Sequence, residues 1–202
     1  MKKIIKQKKI CIVSDSFPPL RNSASGMIYN LARDLKNDNF DVTCIYGGKN
    51  PKKFPKIFLS YNVSDLNLIS SSLFQYKRSK NIFYRFFSEL SLAFILSFKI
   101  FLNKKKIKNI NLIIWYGPSS FLWLPVFFLK VLSNSKVIYI LRDIFPEWLL
   151  SVGLLKKGVI FYILKFLTSP QYIIPNLIGV ESEGNLKLLK KKISKNIELK
   201  VI

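Results

Sequence analysis

The first 46 residues contain an alternation that leaves few folds open. Lys9–Ser14 is a short β-rich run that ends in a proline-containing loop. From Gly26 onward, apolar residues follow a 3.6-residue period that predicts a helix, and Phe40–Tyr46 then alternates as a strand does. A strand, a helix and a second strand in this order predict a βαβ unit, and therefore a parallel sheet with a right-handed crossover.

The rest of the chain continues this alternation. Strands are predicted at Leu112–Tyr116, Lys136–Leu141 and Leu177–Glu181, and helices at Ile82–Leu102 and about Ser119–Leu132. Ile57–Tyr61 is a further candidate strand, and the polar, serine-rich residues 62–80 are interpreted as a surface stretch. The prediction is one α/β domain over residues 1–202, a Rossmann-like doubly wound parallel sheet.

Two features of the composition narrow the possible chemistry. The chain has no histidine, which excludes a Ser-His-Asp or Cys-His hydrolase and an imidazole-ligated zinc. Its two cysteines, Cys11 and Cys44, each lie inside an apolar run. We expect buried thiols in a reducing compartment, and neither a disulfide framework nor a metal-binding knuckle.

The net charge of +22 has three interpretations: a solvated surface, a membrane surface or a nucleic-acid site. Of the 33 basic residues, 28 are lysine and five are arginine. Phosphate and base readers favour the planar fork of arginine, whereas lysine suits a diffuse attraction to an anionic surface. We therefore expect an anionic membrane surface as a partner and no nucleic acid.

Two apolar stretches are long enough to be compared with membrane spans, and no signal peptide is predicted. Asn109–Leu129 is uncharged, but a Gly-Pro pair and a second proline interrupt it, which favours a strand, a turn and a helix. Ile82–Leu102 contains three charged residues, which a lipid span tolerates poorly. Neither stretch is predicted to cross a membrane.

Ile82–Leu102 has the composition of a helix that lies on a membrane surface. It contains six phenylalanines, and a lysine cluster follows it: Phe83, Phe86, Phe87, Phe94, Phe98, Phe101, Lys104, Lys105, Lys106 and Lys108. Rings that enter the headgroup region and ammonium groups that meet anionic lipid predict peripheral docking. The alternative is that the rings pack onto the sheet.

In a sheet of this kind, ligands bind beyond the carboxyl ends of the strands. The loop after the first strand contains Asp15, Ser25 and Gly26. Its small residues leave the first N–H groups of the next helix open to a phosphate or a sugar hydroxyl. The structural alternative is an N-cap by Ser23 or Ser25.

Three later loops also contain polar residues. Gly117 and Ser119 lie in a strand-to-helix turn that favours a structural role, as does the N-cap predicted at Ser182. Three charged residues closely follow a buried strand: Arg142, Asp143 and Glu147. Charged groups at such a place must be solvated, be paired with an opposite charge or have a function in binding or catalysis. A functional interpretation is favoured for this third group over a structural Arg142–Asp143 pair.

Three segments resemble bacterial family 4 glycosyltransferases. KICIVSDSFPP, a helix of the form YxLAxxL and FDVTCIYGG resemble the opening of that family. VIYILRDIFPEWLLSVGLLKKG resembles the LRD-(I/L)-x-P-(E/D) segment of the subgroup that builds lipid-linked surface polysaccharides. IPNLIGVESEGNLKLL resembles the strand and helix that follow it. The resemblance covers essentially the whole chain.

The resemblance implies one half of a GT-B enzyme, in which two Rossmann-like domains enclose a cleft. The N-terminal domain meets the acceptor, and the C-terminal domain holds the nucleotide-sugar through a carboxylate pair, E-x7-E. Such enzymes retain anomeric configuration and need no metal or other cofactor. This sequence ends at Ile202, where the C-terminal domain would begin. We expect a half that is inactive alone, whether as a truncated gene, a fragment or one subunit of a split transferase.

The resemblance also implies roles for individual residues. Asp143 matches an acidic residue that faces the acceptor hydroxyl or the donor sugar, and Arg142 stands where many relatives have histidine. A cation there stabilises departing phosphate charge. Glu147 is a second-rank candidate, for the acceptor site or for pairing with Arg142. The expected catalytic residues are Asp143 and Arg142, and the expected substrate-binding residues are Asp15, Ser25, Gly26, Gly117, Ser119, Glu147 and Ser182.

The expected function is hexosyl or N-acetylhexosaminyl transfer to a lipid-linked saccharide in surface polysaccharide or lipopolysaccharide biosynthesis. The expected location is cytoplasmic, peripheral to the inner face of the cell membrane. The expected partners are the lipid-linked acceptor, the membrane surface and a separate C-terminal donor-domain subunit. The alternative is a non-catalytic peripheral membrane or partner-binding module, and a third, weaker one is a nucleic-acid-binding domain.

Overall fold

Seven parallel strands form one sheet in the computed structural model, which describes residues 7–48, 63–71, 82–117, 119–193 and 197–202. The strands are β1 (Lys9–Ser14), β2 (Asp41–Gly47), β3 (Asn67–Ser71), β4 (Leu112–Gly117), β5 (Lys136–Leu141), β6 (Leu177–Val180) and β7 (Glu198–Val201). Their order is β3-β2-β1-β4-β5-β6-β7, and every neighbouring pair is parallel. The predicted Rossmann-like doubly wound sheet is confirmed.

Helices lie on both faces of the sheet. They are α1 (Ser23–Asn37), α2 (Ile82–Leu102), α3 (Lys104–Ile107), α4 (Trp123–Ser133), α5 (Glu147–Ser151), α6 (Val159–Thr168) and α7 (Glu183–Lys190). Ile28 and Ala32 of α1 belong to one buried cluster with residues of β1 and β2. Leu96 of α2, Leu129 of α4 and Leu189 of α7 belong to a second cluster. The sheet therefore separates two apolar cores.

The central strands are buried on both faces, which is usual for parallel strands between helical layers. Trp115 of β4 and Tyr139 of β5 stack with ring centroids 3.7 Å apart, and both are fully buried. Such stacked pairs add about 0.5–1.5 kcal/mol beyond the area that they bury. The stacked pair joins β4, in the middle of the sheet, to β5 on its β5–β7 side.

Most predicted elements are confirmed within one or two residues. β1 and β5 have the predicted bounds, β4 is one residue longer, and β6 ends one residue earlier. The predicted helix Ser119–Leu132 is a 3₁₀ turn, Ser120–Leu122, that leads into α4. The candidate strand Ile57–Tyr61 lies outside the described residues.

Two strands were not predicted. β3 lies inside residues 62–80, which were interpreted as a polar surface stretch, and that interpretation was wrong for Asn67–Ser71. β3 pairs with β2, and its Ile69 and Ser71 are buried. β7 pairs with β6 at the opposite end of the sheet. Among the described residues, no helix combines the length and the apolar character needed to cross a bilayer.

Candidate functional site

The carboxyl ends of β1, β4, β5 and β6 lie side by side because these strands are neighbours in the sheet. The chain changes its direction of travel across the sheet between β1 and β4, and ligands bind at such a switch point in open α/β sheets. Asp15 follows β1, Gly117 ends β4, Arg142 and Asp143 follow β5, and Ser182 follows β6. The topology therefore gathers these five residues at one edge.

Arg142 connects the ends of three strands. Its Nη1 lies 2.6 Å from Oε1 of Glu181, just after β6, and donates to the Tyr116 hydroxyl of β4 at 3.2 Å. Its guanidinium carbon is 5.9 Å from the centroid of the Tyr116 ring. The two alternative pairings, of Arg142 with Asp143 or with Glu147, are not formed, because Glu181 on the neighbouring strand end takes that position.

The two other acids of this loop have different environments. Asp143 is exposed and has no hydrogen bond or ion pair to any described residue. Glu147 begins α5, and its Oε1 forms an ion pair with Lys192, beyond α7. Asp143 is therefore open to a ligand, while Glu147 links α5 to the segment after α7.

Two tyrosines near Arg142, Tyr116 and Tyr139, both stay protonated at neutral pH. Burial raises the pKa of Tyr116, and the Arg142 cation partly opposes that rise. Burial raises the pKa of Tyr139 well above its usual value, and the nearby Tyr172 and Asp143 raise it further. The Tyr139 hydroxyl donates to Oε1 of Gln171 at 3.2 Å. Tyr116 was not among the predicted site residues, although it lies directly before Gly117.

Asp15 lies in a turn whose polar atoms contact one another. The Ser16 hydroxyl donates to Oδ1 of Asp15 at 3.0 Å, and the Ser16 N–H donates to the Ser14 hydroxyl at 3.1 Å. Asp15 is only 1% exposed. Its negative charge contributes a little to the raised pKa of Tyr116. A substrate contact by Asp15 stays a prediction.

The start of α1 differs from both predicted caps. Asn22 is the N-cap, since its Oδ1 accepts from the Ser25 N–H at 2.7 Å and its backbone is extended. The structural alternative, an N-cap by Ser23 or Ser25, was therefore wrong about which residue caps the helix. The Ser25 side chain is fully buried and its hydroxyl has no hydrogen-bond partner among the described residues. Gly26 is half-buried, with open space where a Cβ would lie.

The β4 turn is explained by packing. A Cβ on Gly117 would lie 2.9 Å from the ring and the hydroxyl of Tyr139, so a glycine permits this close approach. The Ser119 hydroxyl donates to Oε2 of Glu89 at 3.2 Å, and both residues are buried. Glu89 was not a predicted site residue; it is the single acid in a mostly apolar helix, and that is the sequence signal that marks it. Substrate contacts by Gly117 and Ser119 stay predictions.

Ser182 has the predicted structural role. Its hydroxyl accepts from the Asn185 N–H at 3.2 Å, and Glu183 occupies the first turn of α7, where the helix dipole favours a negative charge. The N-cap at Ser182 is confirmed, and a substrate contact by its exposed side chain stays a prediction.

The two cysteines are buried free thiols, as predicted. Burial raises the pKa of Cys11 well above its usual value and that of Cys44 to about 12. Both thiols therefore stay protonated at neutral pH and are poor nucleophiles. In the ranges that the structure describes, no group of three or more acidic, cysteine or histidine residues is arranged to hold a metal ion.

The fold has solved counterparts, although no protein-family model and no curated protein matches the sequence. The N-terminal domain of Candida albicans trehalose-6-phosphate phosphatase matches with a TM-score of 0.61 at 14% identity, over 100% of this chain and 49% of that one. Phytolacca americana UGT2, solved with UDP-2-fluoro-glucose and pterostilbene, has a TM-score of 0.54 at 9% identity, over 96% of this chain and 53% of that one. Arabidopsis thaliana UGT89C1, solved with UDP, has a TM-score of 0.53 at 13% identity, over 98% of this chain and 52% of that one.

These similarities concern the fold, since the identities are far too low to transfer a function. This chain has the fold of one half of a GT-B glycosyltransferase. It spans about half the length of the solved structures that it matches.

Proposed function

We propose that this chain is the acceptor-side half of a retaining family 4 glycosyltransferase of the bacterial surface-polysaccharide subgroup. It would transfer a sugar from a nucleotide-sugar to a lipid-linked saccharide at the cytoplasmic face of the membrane. One observation carries the proposal: the Arg142, Tyr116 and Glu181 cluster lies at the carboxyl edge of a GT-B half, beside an exposed Asp143. The half-length match to glycosyltransferase structures supports it.

Arg142 would stabilise the negative charge that develops on the departing nucleoside diphosphate. Its ion pair with Glu181 is partly exposed, with 36% of the Arg142 side chain and 45% of the Glu181 side chain accessible. A phosphate group can therefore compete with Glu181 for the guanidinium without burying an unpaired charge. Tyr116 would keep the guanidinium in place during this exchange.

Asp143 would orient the acceptor. Transfer forms a bond from an acceptor hydroxyl oxygen to the anomeric carbon and breaks the bond from that carbon to the diphosphate oxygen, and the hydroxyl proton passes to the departing diphosphate. The exposed Asp143 carboxylate suits a hydrogen bond from that hydroxyl. A donor-binding half, from further polypeptide or from a separate subunit, completes the cleft. The 202-residue chain alone is then inactive.

The test pairs this chain with candidate donor halves and measures transfer of labelled sugar from nucleotide-sugars into a lipid extract. Asp143→Asn and Arg142→Gln should each lower transfer by roughly 10²–10³-fold, the scale of a lost electrostatic contact in the transition state. Asp34→Asn is the matched control, because Asp34 is an exposed acid on α1 that pairs with Arg33. Equal activity of the site variants and the control would contradict the assigned roles. Transfer by the chain alone would contradict the need for a second half.

A non-catalytic membrane or partner-binding module is the second candidate, and the exposed apolar side chains of α2 and α6 favour it. That module would bind its partner surface normally, while no donor half would restore sugar transfer. Transfer that depends on Asp143 would exclude it.

A further inference from the structure

The helix α6 is apolar around most of its circumference, yet most of it is exposed. It buries Phe161, Leu164 and Thr168, a narrow stripe along one side. Its exposed apolar residues are Val159, Ile160, Tyr162, Ile163, Phe166 and Leu167. Val159 is 76% exposed and Phe166 is 78% exposed. A helix that is hydrophobic on all sides is normally buried, so α6 lacks an apolar partner within the described chain.

The helix α2 has a second exposed apolar stripe. Five of its residues are separated by three, four or seven positions, which places them on one side of the helix, and Leu102 adjoins the last of them: Tyr84, Phe87, Phe94, Phe98, Phe101 and Leu102. Phe86 is not part of it, because its ring packs against Phe121 at 5.2 Å, as the alternative of rings that pack inside the fold anticipated for some of the six phenylalanines. The side chain of Phe83 lies outside the described residues.

The helix α4 connects these two helices. Its Phe128 ring lies 4.9 Å from Phe101 of α2, and its Trp123 Nε1 donates to the Leu167 carbonyl of α6 at 3.0 Å. Phe127 and Val131 of α4 are exposed as well. We call the exposed apolar side chains of α2, α4 and α6 the outer helical surface. Single exposed apolar residues are common in proteins, but a set that continues over three connected helices marks an interaction site.

The charges on these helices have one sign. Glu89 is the one acid in the sequence of α2, α3, α4 and α6, and it is buried. Exposed lysines accompany the apolar side chains: Lys104, Lys105 and Lys106 on α3, Lys108 after it, Lys156 and Lys157 before α6, and Lys165 within it. The Lys104 ammonium lies 5.3 Å from the Phe101 ring centroid, and a small surface pocket is lined by Lys104, Ile107, Lys108 and Leu132.

We propose that the outer helical surface docks on an anionic lipid bilayer. Its aromatic and aliphatic side chains enter the headgroup region, and the lysines of α3 and α6 contact anionic headgroups. The charge complementarity favours lipid as the occupant, because an exposed acid that would oppose it is absent from the sequence of these helices. The proposal does not depend on sugar transfer and is tested without it.

The experiment measures co-sedimentation of the full chain with vesicles. Neutral phosphatidylcholine vesicles are compared with vesicles that contain about 30% phosphatidylglycerol, at roughly 50 mM and 300 mM salt. The apolar variant is Phe94→Gln with Phe98→Gln, and its control is Leu188→Gln, an exposed apolar residue of α7. The charge variant changes Lys104, Lys105 and Lys106 to Glu. Its control changes the exposed Lys187, Lys190 and Lys191 to Glu, an equal change in net charge.

We expect binding to anionic vesicles that weakens in salt, a loss of roughly tenfold or more in either surface variant, and control values within about twofold of the parent. Circular dichroism confirms that each variant is folded. If the α3 and α7 lysine variants lost vesicle binding equally, the effect would come from overall charge, and the proposal would be overturned. Absence of binding of the parent chain to anionic vesicles would also overturn it. A dimer that the Phe94 and Phe98 changes dissociate, without vesicle binding by the parent, would assign the surface to a second copy instead. Release by detergent alone, and not by salt, would indicate insertion and not docking.

Discussion

The carboxyl edge of the sheet and the outer helical surface differ in whether their side chains have partners within the fold. At the edge, several polar groups have partners within the fold, although Asp143 does not: Arg142 has Glu181 and Tyr116, and Ser119 has Glu89. On the outer helical surface, aromatic and aliphatic side chains extend away from the core. Stability therefore accounts for much of the edge, including residues that were expected to bind substrate. Stability does not account for the exposed aromatic rings of the outer helical surface. An external partner would explain them.

The largest expected effect compares the two sides of α2. Leu96 is fully buried in the core, whereas Phe98, two residues later, is 64% exposed. Leu96→Ala should lower the free energy of unfolding by about 2–5 kcal/mol, because it removes buried methyl groups and leaves a cavity. Phe98→Ala should change it by no more than about 0.5 kcal/mol. Urea denaturation measures both. A large loss from Phe98→Ala would show that the stripe is packed against the fold, and the comparison would fail.

Alanine substitutions at two glycines of the carboxyl edge should change the free energy of unfolding by smaller amounts and in opposite directions. Gly117→Ala should destabilise by about 1–3 kcal/mol, since the new methyl group would overlap a Tyr139 ring that is held by Trp115 and Gln171. Gly26→Ala should stabilise by about 0.4–1 kcal/mol, because its methyl group meets open space within a helix. Thermal unfolding gives both signs. Stabilisation by Gly117→Ala would leave that glycine without a packing explanation.

The sequence predicted the inner strands of the sheet and missed both outer ones. β1 and β5 are flanked by strands and covered on their faces, so their apolar, β-branched runs are distinctive. β3 and β7 end the sheet, and their sequences, Asn67–Ser71 and Glu198–Val201, contain only two apolar residues each. An edge strand is partly solvated, which removes the signal that a buried strand carries.

For the candidate site, the sequence predicted the positions of the residues better than their partners. Parallel topology brings the ends of β4, β5 and β6 together, so the loops were placed correctly. The partner of Arg142 is Glu181, on a strand that is adjacent in space and distant in sequence. Local spacing offered only Asp143 and Glu147 as alternative partners, because those acids are close in the chain. Only the register of β5 against β6 distinguishes these partners.

At the start of α1, too, the sequence alone does not identify which residue makes the hydrogen bond. The expected effect of a substitution on stability is smaller there than at Gly117. Asn22 and Ser23 are adjacent residues that both suit an N-cap, and only Asn22 has the extended backbone and the bond to the Ser25 N–H. Asn22→Ala should destabilise by about 0.5–2 kcal/mol. Ser23→Ala should stay within about 0.5 kcal/mol, because it is an exposed residue without a capping role. Equal effects in thermal unfolding would show that the two residues share the cap.

The smallest expected effect on stability belongs to the Arg142–Glu181 pair. A double-mutant cycle with Arg142→Gln and Glu181→Gln should give a coupling free energy of about 0.2–1 kcal/mol, because both side chains are partly exposed and water screens their attraction. Added salt should reduce it further. Under the proposed function, Arg142→Gln in the chain paired with a donor half should nevertheless lower sugar transfer far more than this coupling can explain. A phosphate can displace Glu181 only if the pair is weak. A coupling well above about 1 kcal/mol, insensitive to salt, would identify a structural lock between β5 and β6 and would contradict the exchange assigned to Arg142.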